Sequence, residues 1–204
     1  GRESEKAIEV LIELLDSNPR FTEGLALLGQ AHEMRGEWTE AASAYERAVV
    51  SSPRRMRYRR QLANALLNAG RPERALSVLR DLVKIRPDDA SGWYLLSDLE
   101  LEVNNYDEAE AAARRLIELE PSGLRGVYTL SRVLGAKREY QGMVDALESA
   151  LERARDYEIP PRQTASLLQR LSVGREQLGN YDAAINALRE ALEFVPSDTG
   201  LQAQ

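Results

Sequence analysis

Few residues in this chain could do chemistry, and their spacing does not suit it. The single histidine opens the stretch His32-Glu33-Met34-Arg35-Gly36, which lacks the second histidine that a zinc-binding H-E-x-x-H helix places one turn on. Cysteine is absent. That removes disulfides, thiolate nucleophiles and zinc–thiolate sites but leaves the compartment open, since cytoplasm and periplasm both fit. Glu100 and Glu102, like Glu108 and Glu110, stand two residues apart, which on a helix turns the carboxylates to different faces and spoils an acid–base pair. The chain has no G-x-S-x-G elbow, phosphate loop or dinucleotide glycine fingerprint. The expectation is therefore a chain without catalysis, metal or cofactor, whose polar residues recognise rather than react.

The charges are arranged unevenly. Residues 1–50 carry 10 acidic and 5 basic side chains, residues 51–90 carry 4 and 10, and residues 91–204 carry 19 and 12. The reversal centres on Arg54-Arg55-Met56-Arg57-Tyr58-Arg59-Arg60, five arginines in seven residues at the start of a helix. There the macrodipole disfavours each cation by roughly a few tenths of a kcal/mol. Two readings follow: a solvated face paired with acidic neighbours, or an anion-binding patch at one end of a groove. A pI near 5.1 and the lack of a basic stripe elsewhere speak against a nucleic-acid partner. No apolar run approaches the roughly 18 residues that membrane insertion needs.

The elements that hold these residues come from a repeat. Proline stands at Pro19, Pro53, Pro87 and Pro121, alanine at Ala7, Ala41, Ala75 and Ala109, and leucine at Leu28, Leu62, Leu96 and Leu130, all with a period of 34 residues. Within residues 56–89, Leu62, Leu66 and Ala69 fall at helical spacing. Asn68-Ala69-Gly70-Arg71-Pro72 stops that helix, because glycine accepts the left-handed conformation past a helix end and proline suits the first turn of the next. Ala75, Leu79, Leu82 and Val83 form the stripe of a second helix, which ends before Pro87 because the residue preceding a proline is pushed out of the α region. Each unit is a helical hairpin, and two short helices cannot cover their own apolar stripes. The hairpins must stack.

These marks resemble the tetratricopeptide repeat, whose pattern runs W-x2-L-G-x2-Y, then G-x-Y-x2-A-x3-F-x2-A and a late P. Counting from the first residue of each unit, position seven is Leu28, Leu62, Leu96, Leu130 and Leu171, and the small residue beside it is Gly29, Ala63, Ser97, Ser131 and Ser172. Position seventeen is Trp38, Tyr106, Tyr140 and Tyr181, with Pro72 departing; Ala41, Ala75, Ala109 and Ala184 open the second helices, with Met143 departing. The resemblance implies an all-α, right-handed superhelical solenoid occupying residues 1–204 as one domain. It comprises a half repeat at 1–21, repeats at 22–55, 56–89, 90–123, 124–164 and 165–198, and a truncated helix at 199–204. The fourth repeat carries a seven-residue extension that includes Glu158, Ile159, Pro160 and Pro161. Seven residues are close to two helical turns, so a lengthened hairpin keeps its inner face in register. The expectation is a helix running to about Tyr157, a next helix starting near Pro161, and a last hairpin ended by Pro196.

In such arrays the first helix of each hairpin lines the concave face through positions two, five, six, nine and thirteen. Here these are Arg57, Arg60, Gln61, Asn64 and Asn68, then Ser91, Tyr94, Leu95, Asp98 and Glu102, then Arg125, Tyr128, Thr129, Arg132 and Ala136. Arginine, tyrosine and asparagine suit a binding surface. The expected partner-binding residues are Arg57, Arg60, Asn64, Asn68, Tyr94, Arg125, Tyr128 and Arg132. The set partly resembles the carboxylate clamp of chaperone-binding members, with Arg60, Asn64 and Arg125 at clamp positions but Leu95 and Thr129 where two of its donors would stand. A looser cationic groove for an acidic or C-terminal peptide fits better, with Asp98 and Glu102 placed to orient or neutralise its arginines. His32, Trp93 and the aromatics at position seventeen read as packing residues. The function expected is a non-enzymatic protein–protein interaction scaffold. The rivals are an architectural segment of a longer array and an accessory region of a multidomain enzyme whose catalytic domain lies elsewhere.

Overall fold

A computed structural model describes residues 2–157 and 159–195. Among the described residues there is no strand, and the helices are α1 (Arg2–Ser17), α2 (Thr22–Met34), α3 (Trp38–Ser51), α4 (Met56–Asn68), α5 (Pro72–Ile85), α6 (Ala90–Glu102), α7 (Tyr106–Leu119), α8 (Arg125–Lys137), α9 (Tyr140–Asp156), α10 (Pro161–Gln177) and α11 (Tyr181–Phe194). They fall into two compact units, one running to Leu99 and the other starting at Glu100.

Each hairpin turn is made the same way. After α4, Gly70 takes φ +71, its N–H donates to the Leu67 carbonyl at 2.9 Å, and the Arg71 N–H reaches back to the Leu66 carbonyl at 2.9 Å. This 6→1, 5→2 pairing satisfies the carbonyls that the last turn leaves free. Gly36 and Gly179 repeat it, whereas Asn104 and Arg138 enter the left-handed region at φ 63 and φ 60 with a side chain attached. The fold therefore insists on this turn even where the sequence does not offer glycine.

The extension resolves simply. The first helices α2, α4, α6 and α8 have 13 residues each, and the second helices α3, α5, α7 and α11 have 14, whereas α9 and α10 have 17 each. The insertion is thus divided between the end of α9 and the start of α10, and the connecting loop keeps its ordinary length. Glu158 within it, Pro196 and the helix expected at 199–204 lie outside the described residues.

In the first unit Leu28, Leu62 and Leu96 are buried together with Ala41 and Ala75, as the repeat pattern requires. Gly29 lies directly beneath the ring of Tyr45, which is wholly buried. In the second unit a core of Leu124, Val127, Leu130, Leu134, Met143, Val144, Leu147, Leu167, Leu168 and Leu171 closes around α8, α9 and α10. Met143, which departs from the usual alanine, is buried there and reaches the space over Gly135 and Gly174. At the margins the pattern gives way. On α1 Leu15 is buried but Leu14 is exposed, since α2 covers only part of its stripe. Tyr181, expected to pack, is 64% exposed beside exposed Val173 and Ile185, and no described helix follows α11 to cover them.

Candidate partner-binding surfaces

In the first unit the recognition face is formed by α2 and α4. Glu23, Ala26, Leu27 and Gln30 of α2 face Arg57 and Gln61 of α4 around a cavity of about 430 Å³. These are positions two, five, six and nine of one hairpin and two and six of the next. Leu27 is 51% exposed on this wall, and Met34 at position thirteen is 83% exposed. Leu27, turned to solvent from a helix whose other leucines are buried, gives the cavity an adhesive apolar wall, and Met34 adds exposed apolar surface at the far end of α2. Sequence reasoning missed this hairpin's contribution, although Glu23, Leu27 and Gln30 were legible by the same position rule.

The predicted residues of this unit are placed as follows. Arg57 is exposed; its guanidinium lies 4.6 Å from the Tyr58 ring centre and donates to the Tyr58 hydroxyl at 2.7 Å, which fixes the cation at the cavity mouth. Arg60 does not present an open guanidinium. One of its nitrogens donates to both carboxylate oxygens of Asp89, at 2.8 and 2.7 Å. Asp89 in turn accepts from the Gly92 backbone N–H at 2.9 Å, capping the start of α6. The carboxylate that neutralises Arg60 is therefore the helix cap, a residue whose role the spacing of Asp98 and Glu102 did not suggest. Asn64 and Asn68 are both exposed, and the Asn68 amide donates to the Asn64 carbonyl at 2.8 Å. Tyr94 is half-buried on α6. The Trp93 indole donates to the Pro87 carbonyl at 3.0 Å, a structural role.

In the second unit Arg125 pairs with Glu120 at 2.9 Å and Arg132 is exposed. Tyr128 donates its hydroxyl to the Gln163 carbonyl at 3.2 Å, and the Arg170 guanidinium lies 5.1 Å from its ring centre. Burial raises the Tyr128 pKa, with the Ser166 hydrogen bond and the Arg170 charge opposing it. Arg170 was not singled out by sequence, because its partner Tyr128 sits in a different hairpin. Thr129 is a correction: placed on the groove face by its position number, it is buried, and its hydroxyl donates to the Arg125 carbonyl of the same helix at 2.9 Å.

The titratable side chains outside these surfaces serve turns and packing among the described residues. His32 Nδ1 lies 2.7 Å from Glu37, across the turn of its own hairpin, as a packing histidine would. Glu100 is buried, and its side chain accepts from the Asn105 amide at 2.8 Å, a turn-stabilising contact. Lys137 gathers Glu110, Asp107 and Glu139 at 2.7, 3.0 and 3.0 Å, an inter-hairpin clamp that lowers the Glu110 pKa. Among the described residues no group of three His, Cys, Asp or Glu side chains converges to hold a metal ion, and no helix is long and apolar enough to cross a membrane.

Comparison with known proteins agrees with this architecture. Family models described as tetratricopeptide repeat match residues 1–55 and 60–123, and residues 165–198. The beta-barrel assembly-enhancing protease of Escherichia coli strain K12 is 31% identical over 103 residues, covering 47% of this chain; the chain spans only 21% of that relative. The crystal structure of the MamA protein superposes with a TM-score of 0.72 at 20% identity, covering 88% of this chain and 94% of that one. YrrB, titled a TPR protein with an unusual peptide-binding site, superposes at 0.68 and 12% identity, covering 96% and 97%.

Proposed function

Because the chain belongs to the tetratricopeptide repeat family, we propose that it is a non-enzymatic interaction scaffold holding an extended partner segment on the first-helix face of its hairpins. The observation that carries this is the α2–α4 cavity, where exposed Leu27 stands with the fixed cation of Arg57 and the amides of Gln30 and Gln61. An apolar side chain of the partner seats on Leu27, and a carboxylate, either acidic or C-terminal, seats on Arg57. Asn64, Asn68 and Tyr94 extend this surface within the first unit, where Arg60 contributes less charge than its type suggests because Asp89 holds it. The second unit offers its own surface of Arg125, Tyr128 and Arg132, with Arg170 stacked on the tyrosine. A charge-assisted hydrogen bond contributes about 1.5–3 kcal/mol before desolvation and ordering, which leads to micromolar affinity.

The test is to capture the partner with wild-type protein, map its bound segment, and titrate that segment against Arg57→Glu and Leu27→Ser. A loss of at least about tenfold in either supports the reading. Unchanged affinity in folded variants overturns it. One observation favours a second reading: the curated relative that the chain partly spans carries the name of a protease. On that reading the scaffold presents a substrate or regulator to a catalytic domain elsewhere in a longer protein, and the mapped segment would then be a cleavage substrate of that enzyme.

A further inference from the structure

Of the arginine-rich segment only Arg57 lines the α2–α4 cavity. Residues 43–60 hold six arginines and a single acid, Glu46. Three of the arginines are engaged: Arg60 by Asp89, Arg57 by Tyr58, and Arg59 by the Pro53 carbonyl at 3.3 Å. Arg47, Arg54 and Arg55 are exposed and their guanidiniums meet no acceptor among the described residues; the same holds for Arg20 in the loop before α2. The loops that carry Arg20 and Arg54 are tied together, since the Thr22 and Ser52 hydroxyls lie 3.0 Å apart. Four unpaired cations thus gather along one edge of the first unit, where they repel one another.

That edge opens into a cleft of about 580 Å³ lined by Pro19, Arg20, Ser43, Glu46, Arg47, Val50 and Ser51. Its charge is positive, because Glu46 is held by Arg74 at 2.7 Å. Its lining includes an exposed apolar side chain, Val50, which is 77% accessible. The internal repeat shows how unusual that valine is. It occupies position twenty-nine of its unit, where the other units have Lys84, Glu118, Glu152 and Glu193. A solvated helix face has no use for valine there, whereas a docking cleft does. These cleft residues lie on α3 and the loop before α2, whereas the proposed groove is lined from α2 and α4.

We propose that this cleft is a second docking site, for an acidic protein segment that lays a carboxylate on Arg20 and Arg47 and an apolar side chain on Val50 and Pro19. Arg54 and Arg55 border the site and draw the acidic flanks of the segment. A concave lining that includes exposed Val50 and Pro19 suits a peptide carrying an apolar side chain rather than a flat anionic surface or a phosphate backbone. The two surfaces of the first unit would then hold two partners, or two segments of one partner, at once.

The experiment uses the full chain and a fluorescein-labelled ten-residue peptide alternating Glu and Leu, read by anisotropy at low salt. The expected result is micromolar binding, weakened at least about tenfold by the paired substitution Arg20→Glu and Arg47→Glu and several-fold by Val50→Ser. A matched Glu–Ser peptide should bind at least about threefold more weakly than the Glu–Leu probe. Every measurement is made in a background carrying Leu27→Ser and Arg57→Glu, which disables the groove, so failure here and failure of the groove reading are separable. All variants are exposed-surface changes, and circular dichroism verifies that they fold. The proposal is overturned if the probe does not bind at low salt in this background, or if the paired charge reversal leaves its affinity unchanged. It is likewise overturned if vesicles of anionic phospholipid or single-stranded oligonucleotide bind more tightly than the Glu–Leu peptide and lose binding on the same charge reversal.

Discussion

Gly29→Ala isolates the packing rule that lets these hairpins close. A Cβ built on Gly29 would lie 2.6, 2.7 and 2.9 Å from three ring atoms of Tyr45. Ordinary carbon contacts are about 3.5–4.0 Å, so the ring must retreat by roughly an ångström. It has nowhere to go, being wholly buried, and overpacking of this kind costs about 1–3 kcal/mol. Against that, replacing glycine by alanine inside α2 returns about 1 kcal/mol of helix propensity. The net expectation is a destabilisation of about 0–2 kcal/mol. Removing the ring tests the cause: in a Tyr45→Leu background the same change should stabilise, by up to about 1 kcal/mol, so the two sites should couple by about 1–3 kcal/mol. Urea unfolding followed by circular dichroism reads this as midpoints shifting in opposite directions at a common slope. If Gly29→Ala stabilises both backgrounds equally, the ring does not require the glycine and the packing argument fails.

Three further outcomes follow from the same packing. Arg138→Gly should raise stability by about 1 kcal/mol by relieving the left-handed turn at φ 60, while Gly70→Ala, at φ +71 in open space, should lower it by about 1–2 kcal/mol; thermal melts of both variants check the signs. Leu96→Ala, at a buried site, should cost about 2–5 kcal/mol, whereas Ile185→Ala, 46% exposed, should cost under about 1 kcal/mol, as denaturant midpoints will show. Glu110 has a depressed folded pKa because Lys137 binds its charged form, so its contribution is present above the unfolded pKa and is lost as pH falls through the folded one. Glu110→Gln should therefore lower the melting temperature at neutral pH, and the gap from wild type should close as the pH falls through the folded pKa; a gap of constant size down into acid would refute the assignment.

The hairpins were legible because their signals are local and recur. The period of 34, the leucines at position seven and Gly70-Arg71-Pro72 all act within a few residues of where they stand. The division of the seven extra residues between α9 and α10 was nearly readable as well, since Pro161 fixes a helix start. The recognition surface was only partly legible, because position numbers say which way a residue faces but not what it meets. Arg60 looked like a free cation until Asp89, 29 residues later, was seen to cap α6 and hold it. Thr129 bears a groove number but is buried, and Tyr128 gains Arg170 from another hairpin. Such pairings depend on how one hairpin settles on the next, and no single repeat encodes that.

The most direct test of the scaffold account is a photo-cross-linking map in cells. A benzophenone side chain placed at Leu27, Asn64 or Arg132, on the first-helix faces, should capture a partner polypeptide, while the same group at exposed Glu40 or Glu118 should not. Capture of the same partner at Glu40 and Glu118, with none at the other three, would contradict the account.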